Sequence, residues 1–536
     1  MPTRPRKATK KSRTGSRRVA RSRPATRVTA VRKKKPARTK VEAPATGNLP
    51  KLRVRMYRHG LGDCFLLTFN LGGDEKHVLV DCGTLGVTEG VKMSDVVADV
   101  DSTTNGHLHL VIATHQHQDH LSGFSRLSDQ FSPAKNKQID HVWLAWTEDP
   151  KDERAKELGK ERDDMGIAVK SAAQALRATG GDRDTASAID SLLGFFGETL
   201  GASGTADGAA FAAAAKNSID RVRGLAKRTE YRNPGEKVIE LDWLPGFRFY
   251  VLGPPRDREA IRDTGAHGSS ELYALTSVTN AALQRRDADR KSGAGGDSDA
   301  LFDGRFWWTT GDPRIKEAFG DTYFDPKQSW RNVDTEWLNG ASDLAIQLDK
   351  FTNNTSLVIA IERIGDGKVL LFPGDAQEGN WLSWHDSSIK WDVPGPDGKM
   401  ATVVAENLLA RTVFYKVGHH SSHNATAKSK GLEMMTSQSE LTAFIPVDRE
   451  VALGRSPKGT WKMPARQLYL RLLDKCQGRV VRSDIGWAAY VKPGTRGTEA
   501  EFAGIGTVPN WSEWTKAQQA AKHVQITPSY IDFVLE

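Results

Sequence analysis

The residues best suited to chemistry stand together at Thr114-His115-Gln116-His117-Gln118-Asp119-His120. Three histidines and an aspartate fall within six consecutive positions, in a chain with 14 histidines in all. Imidazoles and a carboxylate at this density are metal-ligand chemistry. They suit Zn²⁺, with Mn²⁺ or Fe²⁺ as the other candidates. A loop leaving a strand turns alternate residues to one side. His115 and His117 can then face one ion, while Asp119 and His120 reach a neighbouring one. The competing reading is a surface histidine cluster or a core histidine pair.

Such a loop needs a strand to carry it, and the apolar run 108–113 directly precedes the motif. Further β-branched or apolar runs bounded by turn formers predict strands at 52–57, 65–70, 76–80, 237–243, 247–252, 355–362, 368–372, 412–417, 441–446 and 487–491. Gly365-Asp366-Gly367 reads as the hairpin turn between 355–362 and 368–372. From about 150 to 230 the texture changes to Ala, Lys, Glu, Asp and Arg. Apolar residues there recur at helical spacing, as at Ile189, Leu192, Leu193 and Phe196, which predicts two to four inserted helices. The polar, Gly-rich stretch 287–299 reads as a mobile loop.

Composition removes several function classes. Hydrophobic residues make up 38% and charged residues 26% of 536, ordinary for a chain with a buried core. No run approaches the ~18 apolar residues that a spanning helix needs. The three cysteines, Cys64, Cys82 and Cys476, exclude a disulfide framework and a zinc ribbon. They read as small buried apolar residues in a reducing, cytoplasmic setting. The net charge of +10 is unevenly placed. Residues 1–40 hold 17 Lys and Arg and no acid, so the rest carries 59 basic against 66 acidic residues. Lacking large apolar residues, residues 1–49 are expected to stay disordered. Residues 1–40 would bind nucleic acid or another polyanion, the bland alternative being a solubilising tail. No partner protein is identifiable. The chain has 14 tryptophans; those at 143, 146, 307, 308, 381 and 384 read as core or edge packing, with base stacking the lesser alternative.

The histidine motif after a strand resembles the His-x-His-x-Asp-His signature of the metallo-β-lactamase superfamily. Three segments are similar to other superfamily motifs, in order: Leu79-Val80-Asp81-Cys82-Gly83, Leu371-Phe372-Pro373-Gly374-Asp375 and Lys416-Val417-Gly418-His419-His420-Ser421-Ser422. Gly60-Leu61-Gly62-Asp63, Asn353-Asn354-Thr355-Ser356 and Arg482-Ser483-Asp484-Ile485-Gly486 resemble the hydrolase domain of ComEC-type DNA-uptake proteins. The chain departs from that subtype at His117, where Asp is usual, and at Ser421, where Gly is usual. The superfamily's Gly-His-Thr-type motif is absent between 121 and 370, where the only histidines are His141 and His267.

The resemblance implies an α/β fold, a four-layer αββα sandwich over about 50–500, followed by a C-terminal extension at 501–536. It implies two divalent ions. His115 and His117 would hold the first, Asp119, His120 and His419 the second, and Asp375 would bridge them. His420 is the alternative ligand, or else the proton donor to a leaving group. Asp119 also serves catalysis by orienting the nucleophile. Asp81 would support a ligand histidine, with a direct metal role the alternative. Asp63 would approach the site from its Gly-flanked loop or form a plain turn. Lys416, Ser421 and Ser422 would contact a phosphate, a surface role being as fitting for Lys416. Such a site suits hydrolysis, since a divalent ion lowers the pKa of water toward ~7. The expected substrate class is a phosphodiester or nucleic acid. The alternatives are a small carbonyl substrate (lactone, thioester or β-lactam) and a non-catalytic binding module.

Overall fold

A computed structural model describes residues 49–86, 91–178, 183–197, 218–262, 313–319, 341–395, 398–455, 461–497, 499–505 and 510–536. The basic tail up to 48, the loop at 287–299, part of the helical insertion, His267, Trp307 and Trp308 lie outside them.

Two large sheets form the body. The first runs β16-β17-β1-β2-β3-β4-β5-β6 and the second β15-β14-β13-β12-β9-β8-β7. In the first, β1 is Lys51–Tyr57, β2 Cys64–Asn70, β3 Glu75–Cys82, β4 His107–Ile112, β5 Gln138–Ala145, β6 Arg228–Arg232, β16 Val524–Ile526 and β17 Tyr530–Leu535. In the second, β7 is Phe247–Gly253, β8 Val358–Arg363, β9 Val369–Phe372, β12 Thr412–Lys416, β13 Thr442–Ile445, β14 Val480–Arg482 and β15 Gly486–Trp487. A separate hairpin pairs β10, Lys390–Pro394, with β11, Met400–Val404.

The strands read as near-continuous apolar runs because both faces are covered. Along β2, Phe65, Leu67 and Phe69 point between the sheets, where Phe65 meets Phe372 and Phe69 meets Phe247 edge to face. Leu66, Leu79 and Val111 point outward onto helices α1, Met93–Thr104, and α3, Phe124–Gln130. On the far side, Tyr250, Ala360, Leu371 and Tyr415 of the second sheet belong to one buried cluster with three further helices. These are α4, Glu153–Ala178, α5, Arg183–Leu193, and α6, Ala341–Asn354. Helix, sheet, sheet and helix follow in that order, an αββα sandwich.

Most strands fall where the apolar runs predict them, and the Gly365–Gly367 turn joins antiparallel β8 and β9. Two expected strands differ. Residues 237–243 touch β7 through a single bridge, Ile239 to Phe249. Of 487–491 only Trp487 is in a strand. Strands β5, β6, β10, β11, β14, β16 and β17 were not expected. β17 lies beside β1, with Leu52 opposite Leu535 and Tyr57 opposite Tyr530, so the last residues of 501–536 complete the first sheet. Arg55 clamps that seam by two bonds to Asp532, at 2.9 and 3.0 Å. All three cysteines are buried, as are Trp143, Trp146, Trp381 and Trp384, so these four tryptophans present no open stacking surface. Among the described residues no helix is long and apolar enough to cross a membrane.

Two parallel pairings position the site. β3 and β4 run parallel in the first sheet, and β9 and β12 in the second, so their C-terminal ends open at one edge. Loops carried on such a frame are where chemistry concentrates.

Candidate metal centre

The loop after β4 carries the histidine motif, and Asp81 at the end of β3 organises it. One Asp81 oxygen accepts from the Thr114 amide at 2.8 Å. The other accepts from the Thr114 hydroxyl and from His120 Nδ1, both at 2.8 Å. His120 is thereby turned so that Nε2 faces the opposite way. The short helix α2, Gln118–Leu121, begins within the motif and buries Asp119 and His120 completely.

The Gly-Leu-Gly-Asp loop presses on this turn from below. A Cβ on Gly62 would lie 2.3 Å from the Gly83 carbonyl oxygen and 2.8 Å from that of Asp119, so only glycine fits. The Asp63 amide donates to the Asp119 carbonyl at 2.8 Å, and the Asp63 carboxylate reaches Lys416 Nζ at 2.5 Å. Lys416 is 1% exposed and also donates to Gly374 O at 2.8 Å and Asp375 Oδ1 at 3.1 Å. Its three ammonium protons are all committed inside the protein.

From the second sheet, β9 delivers Asp375 and β12 delivers His419 and His420. Asp375 Oδ1 is taken by Lys416 and by the His419 amide at 2.9 Å, which leaves Oδ2 buried and facing His120 Nε2 at 3.2 Å without a well-aligned hydrogen bond. His419, His420 and Ser421 all adopt left-handed backbone, with φ of 42°, 49° and 64°. Three such non-glycine residues in a row are strained, of order 1–3 kcal/mol each. The turn is held by Ser421 N to Gly418 O, Ser422 N to His419 O and Ala465 N to Ser421 O, at 2.9, 2.8 and 2.7 Å. Its effect is to send the two adjacent imidazoles in different directions.

His420 is fully buried and aims Nε2 at Asp119 Oδ2, 2.8 Å away, while Pro446 O holds Nδ1 at 2.6 Å. His419 turns Nδ1 to the Ser422 hydroxyl at 2.9 Å. One four-atom group results, from Asp119, His120, Asp375 and His420, all within 4.8 Å of one another. Its edges are 2.8 Å (His420 to Asp119), 3.2 Å (His120 to Asp375), 3.6 Å (His120 to Asp119) and 4.0 Å (His420 to Asp375). Ligands at about 2.1 Å from a tetrahedral ion stand about 3.4 Å apart, so one Zn²⁺-sized ion fits this group. Of the two adjacent histidines it is His420 that stands in this group, while the resemblance implied His419 with His420 as the alternative. Beside the group, His115 Nε2 and His117 Nδ1 are 3.2 Å apart, and the His115 ring lies 4.2 Å from that of His120.

Asp63, Asp81 and His120 form a second close trio. Both Asp81 oxygens are already bonded to Thr114 and His120, and the trio meets His120 on its Nδ1 side, away from the Nε2 that joins the four-atom group. Ser422 is engaged by His419 and Asn424, whereas the buried Ser421 hydroxyl has no partner among the described residues.

Charge gives a second test of fit. Asp63, Asp81, Asp119, Asp349 and Asp375 bring five carboxylates together with one ammonium, Lys416, and all are buried. Two divalent cations would balance the remaining four negative charges. Without them, protons take their place. Burial opposes charge on His120, but Asp375, Asp63, Asp119 and Asp81 outweigh it and hold the imidazole well above its ordinary range. His420 is raised in the same way, against burial, by its bond to Asp119 and by Asp375. Burial would raise Asp375, yet His120 and Lys416 hold it well below the usual carboxylate range. Burial pushes His117 down to about 4, and His115 well below the imidazole range with help from His120 and His117. Both are thus neutral, ligand-ready imidazoles.

Several residues at the site carry no sequence signal. Asp349 on α6 lies 3.9 Å from His117 Nε2, and burial together with Asp119 and Asp375 pushes its carboxyl up to about 8. Phe195 and Phe196, in a tight turn ending the inserted helices, stand against the His117 ring at 5.4 and 4.8 Å. Trp461 backs Phe195 at 5.2 Å. His141 sits away from the group, on β5 beside Glu230 at 3.8 Å.

A buried His/Asp group at one edge of a two-sheet sandwich fits a metal-dependent hydrolase. No family model matches the chain. The chain is similar to the "Beta-lactamase-like protein 2 homolog" of Caenorhabditis elegans, with 31% identity over 119 residues. The match covers 21% of this chain and spans about a third of that relative, 36% of its length. The αββα sandwich and its buried His/Asp group agree with that similarity.

Proposed function

We propose that the protein is a dinuclear metal-dependent hydrolase acting on phosphodiesters, its hydrolase domain running from about 50 past 500 to the C-terminal strand β17, which belongs to the first sheet. The observation that carries the metal reading is the convergence of buried atoms that make no hydrogen bond of good geometry, His120 Nε2, Asp119 Oδ1 and Asp375 Oδ2, with His120 Nε2 and Asp375 Oδ2 only 3.2 Å apart. A polar atom buried without a partner costs too much to leave so, unless something binds there. Asp119, His120, Asp375 and His420 would hold one ion, and His115 and His117 would contribute to a second. When bound, such ions act as Lewis acids that activate water and stabilise charge on a phosphoryl or carbonyl oxygen.

The chain's own residues do the rest. Asp81 and Thr114 fix the tautomer and direction of His120. Lys416 pins one oxygen of Asp375 so that the other faces the site. Asp119, linked to His420, is placed to orient the attacking water and accept its proton. The basic arm supports a polyanionic substrate, since 17 cations in 40 residues neutralise phosphates in a salt-dependent way.

A second reading rests on a different observation. Phe195 and Phe196 give the site an apolar wall, and Lys416 is fully committed. This favours a small carbonyl ester, thioester or lactam.

The test pairs metal content with substrate class. Wild type and the double variant Asp119→Ala/His120→Ala are assayed on bis-p-nitrophenyl phosphate, labelled single-stranded DNA, and a lactone and thioester panel. About two metals per chain, with phosphodiester cleavage that the variant loses, supports the first reading. Two metals with cleavage of carbonyl substrates alone supports the second. No bound metal overturns both.

A further inference from the structure

The four imidazoles read here as ligands differ in how their outward nitrogens are held. His115 Nδ1 meets the Thr114 hydroxyl at 3.1 Å, His120 Nδ1 meets Asp81 at 2.8 Å, and His420 Nδ1 meets Pro446 O at 2.6 Å. His117 is the exception. Its Nδ1 faces His115, and its Nε2 is buried without a partner. The acid 3.9 Å away, Asp349, also has a buried oxygen, Oδ1, without a partner. Its other oxygen accepts from Asn353 Nδ2 at 3.2 Å, which fixes the carboxylate plane.

A neutral imidazole that offers Nδ1 to a metal must carry its proton on Nε2. That N–H needs an acceptor, and ligand histidines commonly find it in a carboxylate. An approach of about 1 Å brings Asp349 Oδ1 to an ordinary charge-assisted bond length. We infer that Asp349 is the positioning carboxylate of His117, so that α6, docked on the inserted helices, completes the metal centre. The inference rests on the dinuclear reading above.

The packing explains why the insertion is involved. Leu344, Ala345 and Leu348 place α6 in one buried cluster with Ala168, Val169 and Ala172 of α4 and Ile189 and Leu193 of α5. Helix α5 leads directly into the Gly194–Phe196 turn, whose two phenyl rings lie against His117. His117 is thus held by ring contacts from one part of the insertion and faced by a carboxylate from the helix docked on it. Every other candidate ligand is held by residues of the strand-end loops.

Metal titration with Zn²⁺ and Co²⁺, followed by calorimetry and by the Co²⁺ absorption spectrum, tests this on the full chain. In Asp349→Ala, one of the two positions should weaken about 10–100-fold with an altered Co²⁺ band, while the other keeps its affinity. Asp349→Glu should restore part of the loss. The melting temperature of the metal-free Asp349→Ala protein should match or exceed that of wild type, because a buried acid with one oxygen left without a hydrogen bond has been removed. A merely structural role would lower it instead. Wild type binding two ions with Asp349→Ala binding both equally well overturns this inference alone. Wild type binding fewer than two overturns the dinuclear reading and this inference with it.

Discussion

The two candidate metal positions sit side by side but are built differently. The one at Asp119, His120, Asp375 and His420 is acidic and finished. Its imidazoles have outward partners at 2.6 and 2.8 Å, and Lys416 and Asp81 lock the carboxylate and histidine they touch. The one at His115 and His117 has two neutral imidazoles, an aromatic wall, and a carboxylate that stops 3.9 Å short. The first is made by strand ends, whose positions the sheets dictate. The second leans on helices inserted far from the motif. A centre of this kind should fill in two steps, tight then weak, and the weak step is where the insertion acts.

That contrast can be broken most severely at the acidic position. His420→Ala should lower metal affinity there by more than about 100-fold, beyond the effect of losing an outer partner, while His419→Ala should change it by less than about 10-fold. Equal losses in metal titrations would show that the backbone strain at 419–421 does not select between the two histidines. Next in size, Asp81→Asn should cost about 10–100-fold at the same position, by loosening His120. An effect confined to the other position would invert the comparison.

The pH dependence sharpens the same point. In the metal-free protein His120 and His420 are raised, so they stay protonated to higher pH than in the unfolded chain. Their contribution to stability is present below about 6.5 and is lost as pH rises through the folded values. A metal must displace those protons. Affinity at the acidic position should therefore rise with pH, about tenfold per unit for each proton displaced, and calorimetry in buffers of different ionisation enthalpy counts them. His117 stays neutral above about 4, so its position should show a weaker pH slope near neutrality. Asp349 works the other way, since its folded value is raised to about 8. Its own contribution to metal-free stability should be lost as pH rises from about 4 to about 8, and Asp349→Asn should remove that component in thermal melts compared with wild type.

Smallest at the centre itself is the effect of the basic arm. Deleting residues 1–40 should leave metal content and cleavage of bis-p-nitrophenyl phosphate unchanged. Binding to single-stranded DNA should weaken and its salt dependence flatten, as filter binding across salt concentrations would show.

Much of the acidic position was legible before folding. A dense His/Asp cluster is rare unless it binds metal, and an apolar run ending in Asp or Gly-Asp marks a strand that delivers a side chain to an edge. Asp81, Asp119, His120 and Asp375 are of this kind. Lys416 was visible as a residue, but not as an internal counter-ion, because its three acceptors come from loops 42 and more than 300 positions away. The choice between His419 and His420 was not legible, since adjacent residues differ only in backbone angle. Asp349 and Phe195–Phe196 lie on amphipathic helical segments, where an acid or an apolar pair looks ordinary.

Local pattern determined strands β1–β4, β7–β9, β12 and β13, the metal-seeking motif and the charge asymmetry, because period, residue chemistry and composition act over short stretches of chain. Tertiary structure decided which histidine turns inward, which carboxylates converge on one group and which stand behind it, and that β17 closes the first sheet beside β1. Those outcomes depend on left-handed backbone at 419–421, on burial that removes water as a partner, and on contacts between residues hundreds of positions apart.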